Sequence, residues 1–210
     1  MNSQKTSDRV VLGILAIVAA GSASAEDSGF YADLDLGQAR YPYSTVIDLH
    51  GVTLSSVNPR IKDTSWGGTV GYRFTPYFGS EVGYVSLGKG SASVSSASGT
   101  AQGEASFTSR GPTLALVGAA QISNLEAFLK LGYLFAHADL AVAAIDGPTK
   151  LNATVSANTP APFGGLGLRY AFNERWHLKL EFDHYDGVGD AATTGTANIN
   201  VATLGVGCLF

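Results

Sequence analysis

The chain lacks the residues on which disulfides and many metal sites are built. It has one cysteine in 210 residues, Cys208, and no CxxC motif or Cys/His cluster, so an internal disulfide is excluded and no metal site is predicted. Charged residues make up only 14% of the chain, against roughly 25% in an average soluble domain. The formal net charge of -4 lacks the basic excess of a nucleic-acid-binding domain. We therefore expect no nucleic-acid partner, no metal and no cofactor.

Long hydrophobic runs are also scarce, with one exception near the N-terminus. Lys5 and Arg9 precede an apolar run over residues 10–20, and the small residues Ala23-Ser24-Ala25 follow it. This order predicts a cleavable signal peptide over residues 1–25. The alternative, a transmembrane helix, is disfavoured because such a run reaches only about 16 Å as a helix. Residues 26–210 are thus the predicted exported domain, and without a long apolar stretch they can cross a membrane only as a β-barrel.

Glycine and alternating apolar residues are what the chain has in abundance. It contains 26 glycines, and in eight segments large apolar side chains recur at every second position, which predicts eight strands. The segments are 30–37, 65–75, 77–87, 106–120 (in unclear register), 125–137, 162–172, 176–183 and 199–210. In the clearest of them, 176–183, the apolar residues alternate with His177, Lys179, Glu181 and Asp183.

The connections between these segments alternate in length. Residues 75–76, 121–124 and 173–175 are short turns, whereas 38–64, 88–105, 138–161 and 186–196 are long and polar. Short turns at one end and long loops at the other are typical of outer-membrane barrels. We predict an all-β fold, an eight-stranded antiparallel transmembrane β-barrel with four long extracellular loops.

The two faces of the predicted strands differ in chemistry. One face carries most of the aromatic residues, and the other mixes glycine, threonine and charges of both signs. A membrane barrel turns the apolar face to lipid, whereas a soluble lipocalin-like barrel, the alternative, turns the charges to water. In the membrane reading the inward charges must pair, because an unpaired buried charge is costly. The predicted lumen ion-pair cluster consists of Arg73, Glu81, Glu126, Lys130, Arg169, Lys179 and Glu181.

Several stretches resemble the OmpA-like transmembrane domain family. They are residues 71–84 (GYRFTPYFGSEVGY), 169–172 (RYAF) with 180–182 (LEF), 189–191 (GDA) and 204–207 (LGVG). The resemblance implies a barrel in the outer membrane of a Gram-negative bacterium. It also implies that Phe210 acts as the signal read by the barrel-assembly machinery, after escort by periplasmic chaperones.

Two departures from that family bear on function. The chain stops at Phe210, so we expect no peptidoglycan-binding domain. Glu81, Lys130 and Glu181 match acidic, basic and acidic positions of the family's lumen gate, but its fourth-strand lysine position falls near the apolar Leu116 and its last-strand arginine near Ala197. The gate is therefore expected to be only partly present.

The histidines show no catalytic pattern. None of His50, His137, His177 and His184 has a serine two residues later, the arrangement of barrel deacylases that act on lipid A, so no catalytic residue and no enzyme is predicted. Two functions remain. The first is a structural and surface-interaction protein, a surface antigen held in outer-membrane lipid whose loops bind host, phage or complement ligands. The second is a narrow porin-like channel for ions or small solutes.

Overall fold

The computed structural model describes residues 29–41, 54–96, 101–146 and 149–210, and these form one β-sheet. The predicted signal peptide, residues 1–25, and His50 lie outside the described residues. The strands are β1 Gly29–Arg40, β2 Leu54–Arg60, β3 Lys62–Arg73, β4 Phe78–Ser96, β5 Ala101–Ile122, β6 Leu125–Asp146, β7 Thr149–Ala171, β8 Trp176–Asp190 and β9 Gly195–Leu209. Among the described residues, no helix has the length and apolar character needed to cross a membrane.

The sheet closes on itself into a barrel. Neighbours pair in the order β4-β3-β1-β9-β8-β7-β6-β5, and β5 pairs back with β4. The short β2 pairs with the outer part of β4 and is separated from β3 only by Ile61, so it prolongs the wall position of β3. The wall therefore has eight antiparallel positions, which confirms the predicted fold. Closure leaves no open sheet edge within the membrane-spanning part.

Alternation along the strands separates a lipid face from a lumen face. On β6, Leu131 is 72% exposed while the adjacent Lys130 is 6% exposed. On β8, Leu178 and Leu180 face outward while Lys179 is fully buried. This polarity is that of a membrane barrel, because a lipocalin-like barrel would place the leucines inside and the charges outside.

The register of β5 was the one that the sequence left open. Leu116 is 69% exposed on the outer face, whereas its neighbours Ala115 and Val117 point into the lumen. The family's gate-lysine position, expected near Leu116, thus lies beside inward residues that are themselves apolar, Ala115 and Val117. The inward residues of this strand are small or apolar, so they gave no polar contrast from which to read its register. Ala197, near which the sequence placed the family's last-strand gate arginine, packs against the buried apolar residues of the lumen.

Where the structure describes them, the segments predicted to be long loops are largely strand. β4 and β5 stay paired out to Ser95↔Gln102, and β6 and β7 out to Asp146↔Thr149. The predicted loop 186–196 is likewise occupied by the ends of β8 and β9, which pair out to Asp190↔Gly195. Beyond the lipid, both faces of a hairpin meet water, so apolar and polar side chains no longer alternate along the strand. Residues such as Val155 nevertheless favour a strand.

The upper part of the wall is split on one side. β7 pairs with β6 along its whole length, but with β8 only from Phe163 onward. Pro160 and Pro162 lie just beyond this point, and proline cannot donate a backbone hydrogen bond to a second neighbour. Beyond this point β8 pairs only with β9, with a register shift between Tyr185 and Val188 where Gly187 has φ 61°. A tall sheet, β4 to β7, therefore rises beside a short β8–β9 hairpin.

Candidate functional site in the barrel lumen

The inward side chains form two layers, one above the other. The charged layer lies nearer the short turns and contains Tyr31, Asp33, Asp35, Arg73, Glu81, Glu126, Lys130, Arg169, His177, Lys179, Glu181 and Asp183. The apolar layer lies nearer the tall hairpins and contains Ala39, Tyr41, Leu87, Ala115, Leu134, Ala136, Ala161, Phe163, Tyr185, Val188, Ile199 and Val201. β8 contributes to both, since its inward residues are charged or polar up to Asp183 and apolar from Tyr185 on.

Arg169 on β7 is the centre of one group of ion pairs. Its Nη2 lies 2.7 Å from Glu81 Oε1, and its Nη1 lies 2.7 Å from Glu126 Oε1. Its guanidinium is 4.2 Å from the ring centre of Phe128 and 4.8 Å from that of Tyr31. A planar cation is suited to this position because it binds two carboxylates at its edge and packs its faces on rings.

Lys130 on β6 connects this group to β8. Its Nζ lies 3.2 Å from Glu81 Oε2 and also contacts Glu181 Oε1. Because Glu81 binds Arg169 as well, the two cations share one carboxylate. The network therefore runs without interruption from β7 through β4 and β6 to β8.

Lys179 on β8 joins the network to β1. Its Nζ lies 3.1 Å from Asp33 Oδ2, 2.9 Å from Asp35 Oδ2 and 3.0 Å from Glu181 Oε2. His177 Nε2 lies 2.7 Å from the other oxygen of Asp33. Lys179 is fully buried, so its charge is balanced by these carboxylates and not by solvent.

The seven residues predicted as the lumen cluster all lie in the charged layer, and ion pairs link each of them to at least one other. Arg73, the most peripheral, reaches Glu126 at 2.5 Å. Sequence reasoning missed Asp33, Asp35, His177 and Asp183 as members. All four stand opposite the apolar face of their segments, so alternation alone was enough to find them.

The added carboxylates change the charge of the lumen. The predicted cluster had four cations and three carboxylates, whereas the charged layer has the same four cations and six carboxylates: Asp33, Asp35, Glu81, Glu126, Glu181 and Asp183. The layer therefore contains more carboxylates than lysines and arginines.

A small cavity lies where the two layers meet. It measures about 40 Å³ and is bordered by Asp35, Lys130, Asp183, Tyr185 and Thr203 among others. Asp35 Oδ1 and Asp183 Oδ1 are buried and accept no hydrogen bond from the described residues. At about 10–15 Å³ for each water centre, the space is large enough for two to four waters.

One outward-facing group on the tall hairpin resembles the composition of a catalytic triad. Ser156 Oγ donates to Asp139 Oδ1 at 2.6 Å, and His137 Nε2 lies 3.4 Å from the same oxygen. The carboxylate thus stands between hydroxyl and imidazole, whereas a serine nucleophile needs its hydroxyl on the imidazole. Within the described ranges, no group of three or more His, Cys, Asp or Glu side chains is arranged to hold a metal ion.

Comparison with known proteins decides the family. The family model described as the OmpA-like transmembrane domain matches residues 25–210. The chain belongs to this family. It is 26% identical over 215 residues to outer membrane protein A of Serratia marcescens, covering 99% of this chain and 56% of that protein. It is 25% identical over 210 residues to outer membrane protein A of Yersinia pseudotuberculosis, with the same two coverages. The chain therefore spans about half the length of the curated relatives that it matches.

Solved structures agree on the fold. The outer membrane protein OprG of Pseudomonas aeruginosa superposes with a TM-score of 0.55 at 16% identity, over 88% of this chain and 97% of that one. Neisserial surface protein A gives a TM-score of 0.51 at 11% identity, over 89% and 100%. This member of the OmpA-like family is thus an outer-membrane β-barrel of a Gram-negative cell. In such barrels generally, the short turns face the periplasm and the long hairpins face the outside of the cell.

Proposed function

We propose that this barrel is a closed structural element of the outer membrane which presents a tall extracellular sheet for surface interactions. The observation that carries the proposal is the filling of the lumen by two layers, in which Lys179 and Leu134 are both 0% exposed. An eight-stranded barrel is just wide enough for side chains to fill it.

The charged layer supports a structural role because its ion pairs span the lumen. Glu81 on β4 and Arg169 on β7 are separated by two intervening wall strands, β5 and β6, yet bond at 2.7 Å. Asp33 on β1 and Lys179 on β8 are joined across β9 in the same way. Such contacts fix the cross-section of the barrel, since each cation can be satisfied only while strands on different sides remain in place.

The apolar layer supports closure because large apolar side chains pack across the lumen. The rings of Phe163 and Tyr185 stack with centroids 5.0 Å apart. Tyr41 donates its hydroxyl hydrogen to the Leu87 carbonyl at 2.9 Å and packs edge-on to Phe107. An ion that leaves the charged layer outward would lose its hydration among these residues, at a high cost in free energy.

The tall sheet is the part that we propose to contact other molecules. Residues 152–156 of β7 are exposed on both faces, so neither lipid nor lumen constrains them. Host, phage or complement ligands at this sheet are the proposed partners, and no catalytic role is part of the proposal.

For biogenesis we propose export through the signal peptide 1–25, escort by periplasmic chaperones, and recognition of Phe210 by the barrel-assembly machinery. Phe210 donates its backbone N–H to the Phe30 carbonyl at 2.9 Å, beside the β1–β9 seam.

Current through a planar lipid bilayer tests the closed lumen. The purified barrel should give no discrete openings, provided that it is folded. Folding is checked by gel migration that differs between boiled and unboiled samples, because a closed barrel resists detergent. Stable openings from folded protein would overturn the proposal and favour the alternative, a narrow porin-like channel for ions or small solutes.

A further inference from the structure

Four cations lie side by side on the outer surface of the barrel. Arg40 on β1, Lys62 on β3, Lys89 on β4 and Arg110 on β5 are all exposed and point away from the lumen. These four strands are consecutive neighbours in the wall. We call this set the basic row.

The strand register brings the four side chains close together. Arg40 pairs directly with Lys62. Lys62 and Lys89 lie on neighbouring strands, between the Arg60↔Ser91 pair and the Trp66↔Ser86 pair. Lys89 pairs with Thr108, two residues from Arg110 on the same face. Directly opposed residues such as Arg40 and Lys62 have Cβ atoms about 5 Å apart, and like charges there repel.

No ion pair within the described residues compensates these four charges. None of the four side chains forms an ion pair or hydrogen bond with a described residue. The lumen, by contrast, pairs its cations closely with carboxylates. The basic row is therefore a surface whose charges have no ion-pair partner among the described residues and are available to an external anion.

The height of the basic row places it at the lipid headgroups. Arg40, Lys62 and Arg110 each lie four residues beyond the last large apolar residue facing the lipid on their strands, which are Leu36, Trp66 and Leu114. Four residues span about 13 Å along a strand, or about 10 Å along the membrane normal at the usual strand tilt. The polar headgroup region begins within that distance of the hydrocarbon.

The opposite side of the barrel has a different surface at this height. β7, β8 and β9 present Asn158, His184, Asp186 and Asn200 there, with His184 and Asn200 hydrogen-bonded to each other. The positive charge is thus confined to one side, so it does not form a general belt around the barrel. A one-sided row suits one bound molecule of defined shape.

We propose that the basic row binds the phosphate groups of a phosphorylated lipid in the outer leaflet. In a Gram-negative outer membrane this lipid is the diphosphorylated glucosamine of lipid A. Arginine forms bidentate hydrogen bonds with phosphate. Below the row, the exposed rings of Trp66 and Tyr84 lie 6.2 Å apart and offer an apolar surface to the acyl chains.

Binding to lipid A in detergent micelles, measured by native mass spectrometry or retention on immobilised barrel, tests the proposal. The double variant Arg40→Gln/Lys62→Gln should bind diphosphorylated lipid A roughly 30-fold more weakly, the effect of two lost contacts with an anionic surface. Arg175→Gln, which removes an exposed cation at the short-turn end, is the matched control and should bind like the wild type. All three proteins must show the folded band on an unboiled gel.

Unchanged binding by the folded double variant would overturn the proposal. Equal binding of wild type to lipid A stripped of both phosphates would overturn it too. Inositol hexakisphosphate serves as a soluble polyanion: if it binds the row and lipid A does not, the assignment to a membrane lipid is wrong.

Discussion

The two halves of the lumen fill the same kind of space by different physics. In the charged layer, long side chains such as Arg169 and Lys179 reach across the barrel and are held by opposite charges. In the apolar layer, shorter side chains such as Leu134 and Ile199 meet at close packing. The arrangement of the charged layer is determined by ion pairing, and that of the apolar layer by how well its side chains fill the space.

The difference decides how each layer responds to damage. Removing one member of a buried ion pair leaves the other uncompensated, which costs more than the pair contributes. Removing methyl groups from an apolar layer costs their transfer free energy plus a cavity term that neighbours partly relieve. The charged layer should therefore fail at single residues, whereas the apolar layer should weaken gradually.

Lys179→Met should cause the largest loss of stability. It leaves Asp33, Asp35 and Glu181 without their shared cation, and a broken buried pair costs about 3–5 kcal/mol. Urea unfolding of the barrel in lipid vesicles measures the loss. Adding Asp33→Asn to Lys179→Met should restore part of the lost unfolding free energy. A loss below about 1 kcal/mol in the single variant would show that the ion pairs of this layer are solvated.

Leu134→Ala should cost about 3 kcal/mol, because it opens a cavity in the apolar layer. Leu131→Ala on the same strand is the control, since Leu131 faces lipid and is 72% exposed. The control should lose less, because lipid can refill the space. The same unfolding titration applies, and equal losses at the two positions would contradict the packing of this layer.

Glu81→Gln and Glu181→Gln should be coupled. Both carboxylates contact Lys130, so the double variant should differ from the sum of the single variants by about 1 kcal/mol, costing less than that sum. A double-mutant cycle on unfolding free energies measures the coupling. Strict additivity would mean that the two carboxylates act independently of Lys130.

Ile199→Val should have the smallest effect, about 1 kcal/mol, as one buried methylene is lost from the apolar layer. Leu204→Val on the lipid face of the same strand should stay within about 0.5 kcal/mol. Thermal shifts of the folded gel band rank the two variants. A reversed order would place the tightly packed side of β9 on the outside.

Much of the fold followed from side-chain alternation. The strict pattern of 176–183 predicted which residues of β8 face the lumen, and Lys179 and Leu180 lie as expected. The prediction failed where contrast between the faces was missing. β5 carries small or apolar residues on both faces around Leu116, and the tall hairpins mix small, polar and apolar residues on both faces.

The partners within the charged layer were less accessible to sequence reasoning. Alternation identified inward charges such as Glu181, but not that Lys179 would bind Asp33, which is 146 residues away in the chain. That contact depends on ring closure, which brings β8 within two strands of β1. Ion pairs between residues so far apart in the chain depend on the closed barrel, so no local sequence pattern predicts them.

The pairing of β1 with β9 has a consequence for how the chain folds. Tyr31 pairs with Leu209, so the seam joins positions near opposite ends of the described chain, a contact of nearly maximal sequence separation. Folding rates fall as contact order rises, and until the seam forms both of its strands present unpaired edges that invite aggregation. Closure of this seam is therefore the expected slow step, and shielding its two edges is the task that any escort must perform.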